Sequence, residues 1–581
     1  MKNILSLLVC VIISIALLQC RVANIKPGEP LKITQWDANG YYLYLPSILI
    51  YHDYKKLTWL EAIDQKYRVT GGSGHGGDGY QTKTADNGNY VFMYQGGVAM
   101  MELPFFLIAH FIAQHSHYPP DGFSPPYQYA LGFGIIFYSL LAALVLRKLL
   151  LVYFNDLTTA LTLLLVCLAT NYIQYSAVDS GQSHAYLFLL YTLVLYATYK
   201  WHKAPSVGWA CVTGFICGFA TMTRPTEAII IFIPLFWDTH TKAAAKAKWA
   251  MVRQHTSHIG FAAACGILAL LPQLIYWKLA SGSWVFDVGS KWKFLNPYFR
   301  VLFGFEKGWF IYTPVTVLFI VGMFFMKGFQ FRKSVLWFCL LNIYIIIAWD
   351  DWRYGGSYST RALVQSYPVF ALPLAALVDK VIFKKWRPAF YVLCAYFIGV
   401  NLFQINQYCK TILHFNDMNR RYYARIYLNP NPTPLDMSLL DSNEIPPDIA
   451  LYKTETVVNT GESFAIKSQL GNHTVIADTT LPALKGDVRL CWYRIKCELK
   501  TPDLWQAYLN AAITTTNGVK QGRVRLFSPI SDATKANSYE FWLSTSNTKG
   551  KLVITITTPY SLTGEIKQLE VTRYYQEYGI D

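Results

Sequence analysis

Apolar runs of roughly 20 residues recur from the N-terminus to about residue 407, and this repetition constrains the fold more than any other feature of the sequence. Each run is long enough to cross a hydrocarbon core about 30 Å thick. In lipid every backbone polar group must be satisfied internally, so such runs are read as helices. Only 15% of the 581 residues are charged, against about a quarter in ordinary soluble domains. The chain turns polar after residue 407. The expected architecture is an α-helical polytopic membrane domain over 1–410, a linker over 411–450 and a β-rich domain over 451–581.

Candidate spans begin at about residues 3, 127, 157, 184, 207, 226, 257, 309, 334, 361 and 388, giving about eleven transmembrane helices. Basic clusters follow every second span: Arg147/Lys148, Lys200/Lys203, the stretch from Lys242 to Arg253, Lys327/Arg332/Lys333, and Lys380/Lys384/Lys385/Arg387. The positive-inside rule makes these loops cytoplasmic. The N-terminus is then inside, while the first outer loop (21–126) and the C-terminal β domain are extracytoplasmic. The expected location is the plasma (inner) membrane, crossed many times. One apolar segment threatens this parity, "GGVAMMELPFFLIAHFIAQH" at 96–115. It carries Glu102, Pro104 and His110, which are costly at a bilayer centre, so it is read as a helix at the outer interface. The opening "MKNILSLLVCVIISIALLQC" resembles a signal peptide, but Gln19 stands before Cys20 where a cleavage site wants a small residue. It is read as an uncleaved first span.

The formal net charge of +16 does not point to nucleic acid, because the cations lie between apolar runs rather than in a basic arm. The 11 cysteines form no CxxC pair and no zinc spacing. Cys491 and Cys497 are expected on one strand, roughly 20 Å apart, too far to bridge. "TGGSGHGGDG" at 70–79 lacks the Lys-Ser/Thr that follows in a phosphate loop and is read as a flexible outer loop. Asn472 heads an "NHT" sequon. The C-terminal stretches "FAIKSQL", "VRLCWYRIKCEL", "GRVRLFS", "YEFWLST", "KLVITITT" and "KQLEVTRYY" alternate with period two. They predict the short strands of a β-sandwich.

The outer face collects the sparse polar residues of the membrane domain. Asp37 follows the first span, between Trp36 and a group of tyrosines that includes Tyr41. Asp179 and His184 sit in "YSAVDSGQSHAYLF", a stretch without Lys or Arg. Arg224 and Glu227 sit in "TMTRPTEA", where Pro225 is expected to break the helix. Asp350, Asp351, Arg353 and Arg361 sit in "WDDWRYGGSYSTRAL". Ionisable residues at such depths point to a site within the bundle. Each also has a structural explanation: a solvated loop for Asp37, a helix cap for Arg224, a satisfied core imidazole for His184, an interfacial belt around Trp349 and Trp352. The paired acids Asp350 and Asp351 fit a divalent cation or acid/base work. No stretch demands a cofactor, and no metal ligands are assigned.

Several of these stretches, taken in order, resemble a known family. "WDANGYYLYLP", "YQGGVAMMELPFFLIAH", "SGQSHAYLFLLYTLVLY", "GFATMTRPTEA", "GFEKGWFIYTPV" and "WDDWRYGGSYSTRAL" are similar to the GT-C glycosyltransferases that use polyprenyl-phosphate sugars. The protein mannosyltransferases and lipid A aminoarabinose transferases belong to this class. The match covers about residues 1–410 and leaves the β domain outside. The resemblance implies a GT-C-like helical fold, a polyprenyl-phosphate-sugar donor, an extracytoplasmic acceptor and a catalytic base at Asp37. The chain departs from the pattern in two places. Asp37 is followed by Ala38 where relatives commonly carry a second acid, and Met93-Tyr94-Gln95 stands where Lys-Tyr-Pro is usual.

The chemistry is consistent with that resemblance. Transfer from a lipid phosphate needs a base for the acceptor's proton and cations for the charge on the departing phosphate. Asp37 suits the first role and Arg224, Arg353 or Arg361 the second, with Trp36, Tyr41 and Trp352 offering faces to sugar or prenyl chain. Asp179, His184, Asp350 and Asp351 complete the expected substrate-binding set. Two other classes compete. A transporter or flippase of lipid-linked or anionic glycans would show midplane polar pairs and internal repeats, and no repeat is evident. A non-catalytic anchor for the β domain would leave Arg224 and Arg361 without a role. The topology has a direct test: alkaline phosphatase fused after residue 250 is expected to be inactive and after residue 581 active, and the reverse pattern would invert it.

Overall fold

The computed structural model describes residues 3–25, 31–70, 81–468, 473–501, 506–527, 535–559 and 561–577. The glycine-rich stretch from residue 71 onward and Asn472 lie outside the described residues. The chain divides into two compact units, Met1–Leu402 and Phe403–Asp581.

In the first unit a helix begins within about two residues of every expected span start, from Ile4–Ala23 to Arg387–Cys409. Among the described residues six helices are long and apolar enough to cross a membrane: Ile4–Ala23, Gly97–Gln114, Pro125–Tyr153, Thr256–Ser281, Arg361–Val381 and Arg387–Cys409. Others that were expected to span are shorter, including Asp156–Leu168, Val207–Thr223, Pro225–Phe236 and Thr316–Phe325. One shortening has a clear cause. Arg224 stands before Pro225 and takes an extended conformation (φ −149°, ψ 122°), which ends the helix Val207–Thr223. Whole helix faces are apolar and uncovered, with Leu8, Ile12 and Ile15 on the first helix and Phe261, Ile267, Leu268 and Leu279 on Thr256–Ser281. Surfaces of this kind require an apolar surrounding.

The basic loops meet at one end of the bundle. Asp156 accepts the Leu5 and Ser6 amides (2.9 and 3.0 Å), satisfying two donors that the first helix leaves free at its start. Arg147 donates to Ser6 Oγ (2.7 Å). Tyr153 donates to Gln330, Asn155 to Asp379, and the Trp201 indole to His258. With the Asp238 amide donating to the Gln330 carbonyl (3.1 Å) and the Tyr199 ring against Tyr153, these contacts join the loops that carry all five basic clusters, as the alternation of charge requires. The helix Gly97–Gln114 does not run from this end to the other. Gly97 packs on Thr223, the last residue of its helix, and His110 bonds to Tyr127 near the start of Pro125–Tyr153. Both contacts lie at the end opposite the basic loops.

The broadest helix contact pairs Val207–Thr223 with Thr256–Ser281. It depends on Gly214 and Gly218, one turn apart, a spacing that lets two backbones approach closely in lipid. A Cβ would fall 1.9 Å from the Ala262 carbonyl oxygen at Gly214 and 2.2 Å from that of Gly266 at Gly218.

The second unit is a β-sandwich of antiparallel sheets. Its strands are preceded in the chain by a small hairpin of the 21–126 segment, β1 (Thr82–Thr84) and β2 (Tyr90–Phe92). The sandwich strands are β3 (Lys453–Asn459), β4 (Phe464–Ser468), β5 (His473–Leu481), β6 (Leu490–Lys500), β7 (Tyr508–Thr515), β8 (Gly518–Arg525), β9 (Asn537–Ser546), β10 (Gly550–Thr557) and β11 (Leu562–Tyr575). One sheet runs β5-β10-β7-β8, the other β3-β11-β6-β9 with β4 on β11. Ile495 and Leu499 of β6 share a single buried core with Leu509 and Ile513 of β7 and Ile554 of β10. Cys491 and Cys497 both lie on β6 as free thiols.

The segment expected as a linker is packed instead. Asp441 accepts from the Arg525 guanidinium and backbone amide (3.0 Å to Nε, 2.9 Å to the amide), and Asp417 and His414 also contact Arg525 (2.9 and 2.8 Å). These bonds tie 411–450 to β8, and the compact unit accordingly begins at Phe403.

Replacing Gly218 or Gly214 by Val is expected to lower stability by about 3 kcal/mol or more, since overpacking against backbone is not easily relieved. Gly260→Ala, on the facing helix with open space around it, is expected to change it by less than about 0.5 kcal/mol. Thermal unfolding in detergent distinguishes the two outcomes.

Candidate functional site

Asp37 opens a short helix, Asp37–Tyr42, directly after Trp36. Trp36 holds a left-handed φ of 53° and leaves its indole 48% exposed. The turn is held from outside. The Trp36 amide donates to the Val69 carbonyl (3.1 Å), and its own carbonyl accepts from Gln81 Nε2 (3.3 Å). Backbone strain of this kind needs surrounding structure to persist.

Both Asp37 oxygens are engaged. Oδ1 accepts from the Tyr94 hydroxyl (2.9 Å), and Oδ2 meets Arg361 Nη2 at 2.5 Å. The second guanidinium nitrogen, Nη1, donates to Gln182 Oε1 (2.8 Å). The pair is mostly buried, with 11% of the Arg361 side chain and 20% of the Asp37 side chain exposed. Two glycines permit the approach. The Tyr94 ring occupies the space a Cβ on Gly40 would need, 2.2 Å away. Gly181, at φ +90°, lies so near Ala38 that a Cβ on it would fall 3.0 Å from the Ala38 Cβ.

Arg361 reaches the site because its loop is anchored. The buried Lys307 ammonium donates to the Gly355 and Ser357 carbonyls (2.9 and 3.0 Å). The Thr360 hydroxyl donates to the carbonyls of Val301 and Lys307 (2.8 Å each). Tyr358 exchanges backbone bonds with the Tyr175 hydroxyl (3.0 Å).

Arg224 faces the same patch. It acts electrostatically on Tyr41, His184 and Tyr354, and Arg361 acts on the same three. Its half-buried guanidinium has no hydrogen-bond or ion-pair partner among the described residues. Tyr41 stacks beside Tyr94 (4.6 Å between centroids) and donates to Ser183 (3.1 Å).

Beneath these groups runs a buried relay. Glu227 accepts from Tyr191 and from Gln365 Nε2 (2.5 and 3.1 Å). Gln365 Oε1 is thereby left to accept from His184 Nδ1 (3.0 Å), which fixes the imidazole tautomer and leaves Nε2 as an acceptor.

The structure thus brings together Asp37, Trp36, Tyr41, His184, Arg224 and Arg361. Asp179 stands one residue further out. It accepts from Gln174 (3.0 Å) and shares Tyr175 with Arg361 as an electrostatic neighbour. Of the other three, Asp351 shares Tyr354 with Arg224 and Arg361 as an electrostatic neighbour, while Asp350 and Arg353 are taken up by other partners. Asp350 pairs with Lys293 (2.7 Å), whose ammonium holds its carboxyl below the usual carboxylate range. Arg353 pairs with Glu306 (3.2 Å) and lies over Trp352, which Arg300 covers as well. Asp351 is exposed, and its carbonyl accepts from the Tyr354 amide (3.0 Å). No group of three or more His, Cys, Asp or Glu is arranged to hold a metal among the described residues.

No protein-family model matches the sequence, and no curated protein matches it. Several solved structures are distantly similar, among them the following three. ArnT from Cupriavidus metallidurans has a TM-score of 0.44 at 12% identity, covering 72% of this chain and 68% of its own. The oligosaccharyltransferase of Archaeoglobus fulgidus has 0.41 at 11%, covering 74% and 58%. The arabinosyltransferase EmbB from Mycobacterium smegmatis has 0.39 at 8%, covering 96% and 64%. The chain therefore spans less than two thirds of the last two.

A double-mutant cycle of Asp37→Asn with Arg361→Gln, read by thermal unfolding, is expected to show a coupling of about 1–3 kcal/mol. Additive costs would mean that the two side chains do not meet in solution.

Proposed function

We propose that the chain is an integral membrane glycosyltransferase that moves a sugar from a polyprenyl-phosphate donor to an extracytoplasmic acceptor. The observation that carries this reading is the composition of the cluster. A carboxylate is paired with one guanidinium, and a second guanidinium without a partner faces the same patch. This combination suits a reaction in which a proton is removed while negative charge develops nearby.

In this scheme an acceptor hydroxyl, or another nucleophile bearing a proton, attacks the anomeric carbon of the donor. A bond forms between the nucleophile and that carbon, and the bond from carbon to phosphate oxygen breaks. Asp37 takes the proton. Arg361 and Tyr94 hold the carboxylate in position. Arg224 receives the phosphate, whose charge rises by one as it departs, and Arg361 can share that load when Asp37 becomes neutral. Trp36, exposed beside Asp37, and Tyr41 present ring faces to the sugar or prenyl chain. The site lies at the end of the bundle opposite the basic loops, and by the positive-inside rule that end is extracytoplasmic. The helix Gly97–Gln114 then lies in the outer half of the bilayer, where a lipid donor approaches.

Asp37→Asn is expected to lower transfer by about 10²–10⁴-fold while donor binding is retained, because the amide keeps the shape but accepts no proton. Arg224→Ala is expected to weaken donor binding as well as turnover, since phosphate charge is present before and during reaction. Purified protein incubated with radiolabelled polyprenyl-phosphate sugars and cell-envelope extract provides the measurement. Full transfer by Asp37→Asn would remove it as base, and no transfer by the parent protein would end the enzyme reading.

A further inference from the structure

The helix Lys242–Gln254 lies in the chain between two apolar helices, Pro225–Phe236 and Thr256–Ser281, and takes no part in the Asp37 cluster. It carries Lys242, Lys246, Lys248 and Arg253 and no acid, and the sequence contains no Asp or Glu between Asp238 and Asp287. Lys242, Lys246, Trp249 and Arg253 stand at positions i, i+4, i+7 and i+11. With about 3.6 residues per turn they fall within an arc of about 60° on one face. All four are exposed.

The direction of that stripe is fixed from the other side of the helix. Buried Lys248 donates to the Pro234 and Leu235 carbonyls (2.7 and 2.5 Å), two groups that the short helix Phe232–Phe236 leaves free at its end. Ala244, Ala245, Met251 and Val252 are half-buried on the same side as Lys248. Thr241 caps the first turn by accepting the Ala244 amide (3.1 Å). One face is held against the protein, and the cationic stripe is thereby turned away from it.

The stripe opposes the helix that carries it. Lys242 and Lys246 are like charges one turn apart, and Lys242, in the first turn, meets the positive end of the helix dipole. Only Arg253, in the last turn, suits its place. Asp238, the acid nearest in sequence, faces Lys248 and His240 instead. Lys242, Lys246 and Arg253 have no hydrogen-bond or ion-pair partner among the described residues.

The following helix shows what adjoins the stripe. Thr256–Ser281 starts two residues after Gln254, and Ile259 and Phe261, within its first two turns, are uncovered. Apolar surface of that kind marks the edge of the hydrocarbon. The three cations stand just beyond that edge, at the level of lipid headgroups, where an exposed indole such as Trp249 is also favoured.

We propose that this face of Lys242–Gln254 lies on anionic phospholipid headgroups, with Lys242, Lys246 and Arg253 meeting phosphates and the Trp249 ring seated among them. Anionic lipid offsets the repulsion along the stripe, and each cation near such a surface strengthens binding about fivefold. The inference goes beyond the transfer reading and holds whether or not Asp37 is a base.

The test titrates the full chain in detergent with phosphatidylglycerol and, separately, with phosphatidylcholine, and native mass spectrometry reads the bound lipid. The parent is expected to prefer phosphatidylglycerol. Lys242→Gln/Lys246→Gln/Arg253→Gln keeps good helix formers on an exposed face, so the unfolding temperature is expected not to fall. In this variant phosphatidylglycerol binding is expected to weaken by about 10²-fold, with phosphatidylcholine binding unchanged. Lys384→Gln/Lys385→Gln/Arg387→Gln removes as many cations from another basic loop and is expected to cost less than about tenfold. Equal affinity of the parent for the two lipids, or equal losses in the two triple variants, overturns the proposal. Binding of poly-glutamate by the parent without a preference for phosphatidylglycerol also overturns it, and assigns the face to an acidic protein.

Discussion

The ion pair between Asp37 and Arg361 is the contact on which the end of the bundle opposite the basic loops depends. It joins residues 324 positions apart, and much of the surrounding structure exists to hold its two halves in place. On the Arg361 side stand the Lys307 anchor, the Thr360 bonds and the Gln182 amide. On the Asp37 side stand Tyr94, accommodated by Gly40, and the strained turn at Trp36. Removing one member of a buried pair costs about 3–5 kcal/mol, and the 20% exposure of Asp37 reduces that figure through solvent screening. The pair also gives the site its polarity. It matches Arg361 with Asp37 and leaves Arg224 as a cation without a partner among the described residues.

The fold was legible where the signal is local. Hydropathy marks each span start because crossing a bilayer is a property of the segment itself, and charge alternation placed the basic loops at one end. Helix lengths were less legible, since the stop at Arg224 is set by the residue that follows it. The six alternating stretches of the C-terminal region all fall on strands, whereas β3, β5 and β7 carry weaker patterns. β3 ("KTETVVN") is almost wholly exposed. β5 lies at a sheet edge, and β7 ("YLNAAITT") sets buried Leu509, Ala511 and Ile513 against Asn510 and Ala512, so its contrast between faces is weak.

Within the site, acids and arginines stood out because charge is costly in an apolar context. Asp37, Arg224 and Arg361 were found that way. Gln182, Gln365 and Tyr94 were not, since neutral polar residues and one tyrosine among 41 carry no comparable signal. Glu227 was noticed as a charge, but its role in orienting His184 through Gln365 exists only in three dimensions. Asp350 and Arg353 share the motif of Arg361, yet the chain turns between them, and partners closer at hand, Lys293 and Glu306, take them up.

The helix Gly97–Gln114 has a consequence for how the protein is made. By length and composition it could be inserted as a span as soon as it is synthesised. One oxygen of its buried carboxyl at Glu102 accepts from the Tyr186 hydroxyl, 84 residues later in the chain, and the other has no partner among the described residues. At about 5–20 residues per second, that partner emerges about 4–17 s after Glu102 does. During this interval the acid lacks that partner, and an unpartnered acid raises the cost of passing the segment across hydrocarbon. The residue that Tyr186 later engages is thus the one that makes the segment costly to insert while it is being made.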